Sequence, residues 1–203
     1  MPGQQARRKA EIKITGPRLA LRALSDTDRP AIEPWYAEAA AVTLGLARED
    51  APNVQNLYYE LEAARPDPGA GLLVIARRDP STRSTGSGQA GSGQAPTPIG
   101  LIDYRAGLPA PGWLTIGFIA VAAAYRGHGY GSEAVRLLEA DARRRGIAGR
   151  FRADVAMNNG LGVYFWLRLG YRPARPGELG EAKPPLPRGT LTMVRTADEE
   201  RVR

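Results

Sequence analysis

A glycine-rich turn between an apolar segment and an amphipathic one constrains the fold of this chain more than any other feature. The apolar segment 113–121 predicts a strand, and residues 129–145 repeat small and apolar side chains at helical spacing, which predicts a helix. Gly127, Gly129 and Gly131 lie at this junction, and glycine lets a backbone approach a ligand closely. The opening helix presents unpaired N–H groups and the positive end of its dipole. The pattern therefore predicts a cradle for a diphosphate.

The composition narrows the class of protein. With 203 residues, 43% hydrophobic and 24% charged, the chain has the size and balance of one globular domain. It has no cysteine and a single histidine, His128, so disulfides and cysteine nucleophiles are excluded and a metal site is not expected. No apolar run approaches the roughly 20 residues of a membrane span, and the N-terminus lacks the apolar core of a secretory signal. We expect a cytoplasmic protein that does not bind membranes.

The net charge of +7 suits an anionic ligand or nucleic acid. Aromatic residues do not alternate with the arginines, as stacking on single-stranded nucleic acid would require. Nucleic-acid binding is therefore not expected and is kept as a weaker alternative.

The domain organisation follows from composition along the chain. Residues 1–13 are predicted to be a flexible basic tail, and 198–203 a C-terminal tail. Residues 14–197 are predicted to form one domain. Within it, residues 80–98 are rich in Gly and Ser and cannot bury an apolar face, which predicts a disordered insertion.

Periodicity predicts alternating strands and helices, typical of an α/β (α+β) domain. The predicted strands are 18–24, 71–76, 99–104, 113–121, 150–157, 171–174 and 191–196, and the predicted helices are 26–41, 52–64, 129–145 and 161–169.

Two signatures resemble the GNAT superfamily of acyl-CoA N-acyltransferases. Arg126-Gly127-His128-Gly129-Tyr130-Gly131 resembles its motif A pattern, Arg/Gln-x-x-Gly-x-Gly/Ala. Asn159 precedes the Gly170-Tyr171 pair with the family's spacing of twelve residues from Asn to aromatic. The resemblance spans Arg18 to Arg195. It implies a GNAT-like mixed, mostly antiparallel central sheet flanked by helices, and acetyl-CoA as co-substrate of an N-acetyltransferase.

The resemblance also implies a coenzyme site. Backbone N–H groups of residues 127–132 would hold the pyrophosphate of CoA, the strand end 119–121 would pair with the pantetheine amides, and Asn159 would contact the pantetheine arm. Splayed strands 113–121 and 150–157 would admit the thioester. Alternatives stay open: Arg126 as a turn cation only, Asn159 as a helix cap only, and His128 as a solvated loop residue. The implied coenzyme-binding set is Ile119, Ala120, Val121, Arg126, Gly127, His128, Gly129, Tyr130, Gly131, Ser132, Asn159 and Trp166.

The sequence departs from the family at the catalytic acid. Many members carry a tyrosine seven residues after the Asn, whose hydroxyl protonates the leaving thiolate, but this position is Trp166. Tyr164 lies about 200° around the helix and does not substitute. For the base that deprotonates the acceptor, Asp103 is the candidate, with Glu33 and Glu38 as the others.

The resemblance implies transfer of an acetyl group from acetyl-CoA to a primary amine, by direct attack in a ternary complex. The acceptor is a small-molecule or peptide amine, no metal takes part, and the protein is a monomer or homodimer. Because Trp166 replaces the usual acid, a non-catalytic acyl-CoA-binding sensor module is the alternative.

Overall fold

One eight-stranded sheet organises the part of the chain that the structure, a computed structural model, describes. The described residues are 13–28, 30–32, 34–35, 69–78, 96–179 and 189–196. The strands are β1 (Lys13–Thr15), β2 (Leu19–Ala23), β3 (Ala70–Arg77), β4 (Thr97–Ala106), β5 (Gly112–Val121), β6 (Ala148–Ala156), β7 (Arg172–Pro173) and β8 (Thr190–Thr196). Two helices pack around the site: α1 (Tyr130–Arg144) and α2 (Gly160–Arg168).

The sheet has the order β1-β2-β3-β4-β5-β6-β8-β7. All neighbouring strands run antiparallel except β5 and β6, which are parallel. Parallel neighbours need a crossover connection, and α1 provides it between β5 and β6. The expected mixed, mostly antiparallel sheet is confirmed.

The helix α1 buries one face against the sheet. Its buried apolar residues recur at helical spacing, and they pack in the main core with fully buried residues such as Phe151 of β6 and Ile116 of β5. The buried apolar residues of α1 are Ala134, Val135, Leu138 and Ala142.

The other face of the sheet carries a second apolar cluster. Val74 and Leu101 belong to it, whereas their strand neighbours Ile75 and Ile102 belong to the main core. Since successive strand residues point to opposite faces, the second cluster lies on the reverse face of the sheet. Ile32, from the helical residues 30–32, packs there.

Most predicted elements match the structure within two residues, with four differences. One is a 3-10 turn at Ala123–Tyr125, which was not predicted. The strand β1 was not predicted, and its Lys13 lies in the predicted tail. The strand β4 begins at Thr97, inside the predicted insertion 80–98, and the first turn of the predicted helix 26–41 is a 3-10 turn (Asp26–Asp28). The rest of the insertion, the helix 52–64 and the tail 198–203 lie outside the described residues. In the described part of the chain, no helix has the length and apolarity to cross a membrane.

The buried carboxylate of Glu139 connects α1 with Tyr171, which follows α2, and with Arg195 of β8. Glu139 is 1% exposed and accepts a hydrogen bond from the Tyr171 hydroxyl at 2.7 Å, and it also pairs with Arg195. Burial raises the pKa of Tyr171 well above its usual value, and the charge of Glu139 raises it further. The Tyr171 hydroxyl therefore stays protonated and serves as a donor.

We expect Tyr171→Phe to lower the free energy of unfolding by about 1–3 kcal/mol, because the buried carboxylate of Glu139 loses a hydrogen-bond donor. Urea unfolding measures this effect. Tyr164→Phe is the control, since that side chain is 58% exposed, and we expect a change below about 0.5 kcal/mol. Equal effects of the two substitutions would contradict a structural role for the Tyr171 hydroxyl.

Candidate functional site

The sheet divides between its two parallel strands. β5 and β6 pair from Gly112 with Ala148 to Ile116 with Ala153, and no pairing between them follows. Both strands nevertheless continue, β5 along β4 to Val121 and β6 along β8 to Ala156. The ends of β5 and β6 therefore separate and leave a slot between residues 117–121 and 154–156, where the sequence predicted one.

The glycine turn at residues 127–131 lies between the end of β5 and the start of α1. Gly127 and Gly129 adopt φ of 80° and 78°, in the left-handed region that favours glycine. Gly129 is the N-cap of α1, and no side chain caps the helix. The first backbone hydrogen bond of the helix runs from the Glu133 N–H to the Gly129 carbonyl. Within the described residues, no acceptor meets the N–H groups of residues 129–132, so four donors are available to an anion.

Arg126 and His128 hold the turn in shape. The Nε of Arg126 donates to the Val121 carbonyl at 2.8 Å, which fixes the turn to the end of β5. The Nδ1 of His128 lies 2.8 Å from the Arg126 carbonyl, and its ring stacks on that of Tyr130. Arg126 therefore anchors the turn to β5, whereas its predicted place in the coenzyme-binding set stays a prediction.

A single cleft of about 1120 Å³ joins the glycine turn to the slot. Its volume slightly exceeds the range of about 300–1,000 Å³ that is common for ligand pockets, so it has room for a large ligand. His128 and Asp103 are not on its wall. The predicted residues that line it are Ile119, Ala120, Val121, Arg126, Gly127, Gly129, Tyr130, Gly131, Ser132, Asn159 and Trp166.

The helix α2 forms the opposite wall of the cleft. Asn159 caps it, because the Asn159 Oδ1 accepts a hydrogen bond from the Gly162 N–H at 2.9 Å. Trp166 is only 5% exposed and its ring lies 4.8 Å from that of Tyr171. Trp166 is therefore a core residue whose edge reaches the cleft, while Tyr164 stands largely in solvent.

Asp103 lies directly behind Gly117, a residue of the cleft wall that has no side chain. Asp103 pairs with Phe118 while Tyr104 pairs with Ile116, so Gly117 is the extra residue of a β-bulge. A Cβ built on Gly117 would lie 2.7 Å from the Asp103 Oδ2. Burial raises the pKa of Asp103, although Arg105 and the Tyr104 N–H partly oppose the shift. A carboxylate of this kind accepts a proton more readily than an exposed one.

A second carboxylate, Asp154, was not singled out from the sequence. It is the first residue of β6 beyond the last pair with β5, and it lines the cleft. Arg152 donates two hydrogen bonds to it, at 3.0 and 2.8 Å, and the Thr192 hydroxyl donates one at 2.8 Å. The only sequence signal is one acidic residue in an otherwise apolar strand end, five residues before Asn159.

The other predicted bases, Glu33 and Glu38, lie outside the described residues. Among the residues that the structure does describe, no group of three or more His, Cys, Asp or Glu side chains is placed to hold a metal ion.

Comparison with known proteins gives a consistent picture. The profile of the Acetyltransferase (GNAT) family matches residues 54–171, whereas no curated protein matches the chain. An acetyltransferase from Agrobacterium tumefaciens is 19% identical with a TM-score of 0.67, covering 95% of this chain and 99% of its own. One from Thermus thermophilus is 17% identical with a TM-score of 0.60, covering 91% and 99%. A ribosomal-protein-alanine N-acetyltransferase from Brucella melitensis is 19% identical with a TM-score of 0.56, covering 87% and 98%. At such identities the structural likeness shows a shared fold.

Proposed function

Because this chain belongs to the acetyltransferase (GNAT) family, we propose that it moves an acetyl group from acetyl-CoA to a primary amine of an acceptor, by direct attack in a ternary complex. The observation that carries the proposal is the cleft that joins the open N-terminus of α1 to the slot between β5 and β6. One end of this cleft suits a diphosphate and the other an extended chain.

The diphosphate of the coenzyme would bind at the N–H groups of residues 129–132. Hydrogen bonds to a charged acceptor are worth about 1.5–3 kcal/mol each, and the helix dipole adds to them. Gly127 supports this assignment, because a Cβ built there meets no atom within 4 Å and so leaves the approach open.

The pantetheine arm would lie along the edge of β5 in the slot, as an added strand would. Residues 119–121 are paired with β4 on one side, and no pairing with β6 occupies the other. Since the Val121 carbonyl already accepts a bond from Arg126, we assign the pantetheine amides to the backbone groups before it. The Asn159 Nδ2 at the start of α2 would donate to the same arm.

An ammonium acceptor loses two protons on its way to the amide. We assign the first to Asp103, which lies beside the bulge at Gly117. The neutral amine nitrogen then attacks the thioester carbonyl carbon, the C–S bond breaks, and the CoA thiolate leaves with the electron pair. The second proton leaves the nitrogen once the C–N bond has formed and passes to solvent or to the departed thiolate. No hydroxyl stands at Trp166, but a thiolate whose thiol pKa is roughly 8.5, by analogy with cysteine, leaves without an acid, and positioning supplies much of the acceleration.

The acceptor would be cationic before it reacts. Asp154 on β6 lines the cleft, and Asp103 on β4 lies behind Gly117 of β5. Both carboxylates attract an ammonium group. A small-molecule amine and a peptide N-terminus both meet this requirement.

The alternative, an acyl-CoA sensor without turnover, draws on one observation. Trp166 is packed in the core at the position of the usual acid, and Tyr164 is largely exposed. Release of free CoA with any amine of a broad panel would reject the sensor. Tight CoA binding without release across that panel would reject the enzyme.

We expect CoA and acetyl-CoA to stabilise the protein. At about 100 times the dissociation constant, linkage gives roughly 2.7 kcal/mol, or about 5–10 °C in Tm for a domain of this size. A thermal melt with and without ligand measures the shift, and adenosine, which lacks phosphates, is the control. An absent shift at millimolar CoA would overturn the proposed function.

A further inference from the structure

Arg18 contacts the glycine turn from outside the motif. It lies between β1 and β2, more than 100 residues earlier in the chain, and it lines the same cleft. Its NH1 donates to the His128 carbonyl at 3.1 Å, and its Nε donates to a Glu133 carboxylate oxygen at 2.7 Å. The backbone N–H of Arg18 donates to the other Glu133 oxygen at 3.0 Å. These three bonds hold the guanidinium beside the start of α1.

The remaining nitrogen of this guanidinium faces the proposed diphosphate position. The NH2 of Arg18 lies 3.6 Å from the point that a Cβ on Gly129 would take. The guanidinium also stands over the Tyr130 ring, 4.8 Å from its centroid. Within the described residues no acceptor meets this NH2, and the side chain is 51% exposed.

The charge of Glu133 would oppose a diphosphate at this end of α1. Its carboxylate is only 15% exposed and belongs to the first turn of α1. A carboxylate there stabilises the empty helix end, but it repels a diphosphate that binds at the same N–H groups. Arg18 neutralises this charge and leaves a donor for the ligand.

We propose that Arg18 is a diphosphate-binding residue of this protein, held in place by Glu133 and required to offset its charge. The inference rests on the proposed function, since it names a further group that would read the diphosphate of CoA. It assigns a role to an interaction that motif A does not contain.

The test is the dissociation constant for CoA, measured by calorimetry for the wild type and four variants. We expect Arg18→Ala to weaken binding about 10- to 100-fold. Arg18→Lys should weaken it less, because lysine keeps the positive charge and loses only the planar guanidinium that donates two parallel hydrogen bonds. We expect Glu133→Gln to change affinity by no more than about threefold, because the repulsion of the ligand and part of the support for Arg18 are lost together. The double variant should bind at least about threefold more tightly than Arg18→Ala, because no carboxylate then opposes the ligand.

A merely structural clamp gives a different pattern. In that case Glu133→Gln weakens binding as much as Arg18→Ala does, and the double variant matches either single one. The salt dependence adds a second readout: the affinity of Arg18→Ala should fall less between 50 and 500 mM NaCl than that of the wild type. Arg144→Ala, which removes one 76% exposed charge from the far end of α1, is the control for net charge.

Two failures are distinguishable. If the wild type does not bind CoA, the proposed function is wrong. If the wild type binds CoA and Arg18→Ala binds it within twofold, the proposed function stands and only the role of Arg18 is wrong. If Arg18→Ala does not fold, Arg18→Lys is the deciding variant. The proposal is rejected if Arg18→Lys binds CoA with the affinity and salt dependence of the wild type while Glu133→Gln binds CoA more weakly than the wild type.

Discussion

Gly129→Glu should abolish the stabilisation by CoA and weaken its binding at least about 100-fold. The substitution places a carboxylate where the proposed diphosphate binds, at the open N–H groups of α1 and near the NH2 of Arg18. The introduced anion would take the hydrogen bonds and the dipole interaction that the ligand needs. Calorimetry and thermal melts with CoA measure the loss.

Gly146→Glu is the matched control for this substitution. Gly146 also has a positive φ, 67°, a Cβ there meets no atom within 4 Å, and it follows the other end of α1. Both variants pay roughly 1–2 kcal/mol for a side chain in the left-handed region and gain one negative charge. CoA binding should survive in Gly146→Glu. Equal binding by the two variants would place the coenzyme elsewhere.

The sequence predicted those parts of the site that local conformation determines. The glycines of the turn, Gly127 and Gly129, are marked by their residue type alone, and the amphipathic pattern of α1 is a property of its own fifteen residues. The cap at Asn159 likewise depends on a bond to Gly162, three residues away. Such features are encoded within one turn of chain, so they could be inferred without a structure.

The features that the sequence analysis missed depend on distant contacts. Arg18 meets Glu133 across 115 positions, and nothing in either local sequence marks the pair. The place where β5 leaves β6 depends on the register of two strands separated by α1, so Asp154 looked like an ordinary strand residue. The strand β1 has three residues, too few to show a period of two.

The assignment of Asp103 depends on the same kind of contact. Nothing near Asp103 in the sequence predicts that Gly117 is the extra residue of a bulge and leaves room for the carboxylate. The strand pattern placed both residues in predicted strands, but only the register of β4 against β5 brings them together. For this reason its role as the base is a proposal that kinetics must test.

Asp103→Asn should lower kcat about 100-fold or more, since general base catalysis contributes roughly that much. Burial raises the pKa of Asp103, so in the wild type kcat/KM should rise with pH through this raised pKa as the carboxylate ionises. The variant should lack that limb of the profile. Steady-state rates between pH 5 and 9, with the best amine of a panel, measure both effects.

The raised pKa of Asp103 also predicts how stability depends on pH. Whereas kcat/KM should rise with pH, the contribution of Asp103 to the free energy of unfolding should fall. A raised native pKa means that the folded protein favours protonated Asp103, so this contribution is complete below the unfolded value near 3.8 and is lost as pH rises through the native pKa. At neutral pH the buried charge therefore opposes folding. Asp103→Asn removes it and should melt at or above the wild-type temperature, with the difference disappearing in acid.

Asp154→Asn distinguishes the role of Asp154 from that of Asp103. Asp154 already accepts three hydrogen bonds, two of them from Arg152, so we expect its loss to act mainly on the KM of the acceptor. If instead Asp154→Asn removes the pH-dependent limb of kcat/KM while Asp103→Asn keeps it, the proton goes to Asp154 and the assignment of Asp103 is wrong. A lower melting temperature of Asp103→Asn than of the wild type at neutral pH would contradict the expectation that the buried charge of Asp103 destabilises the fold.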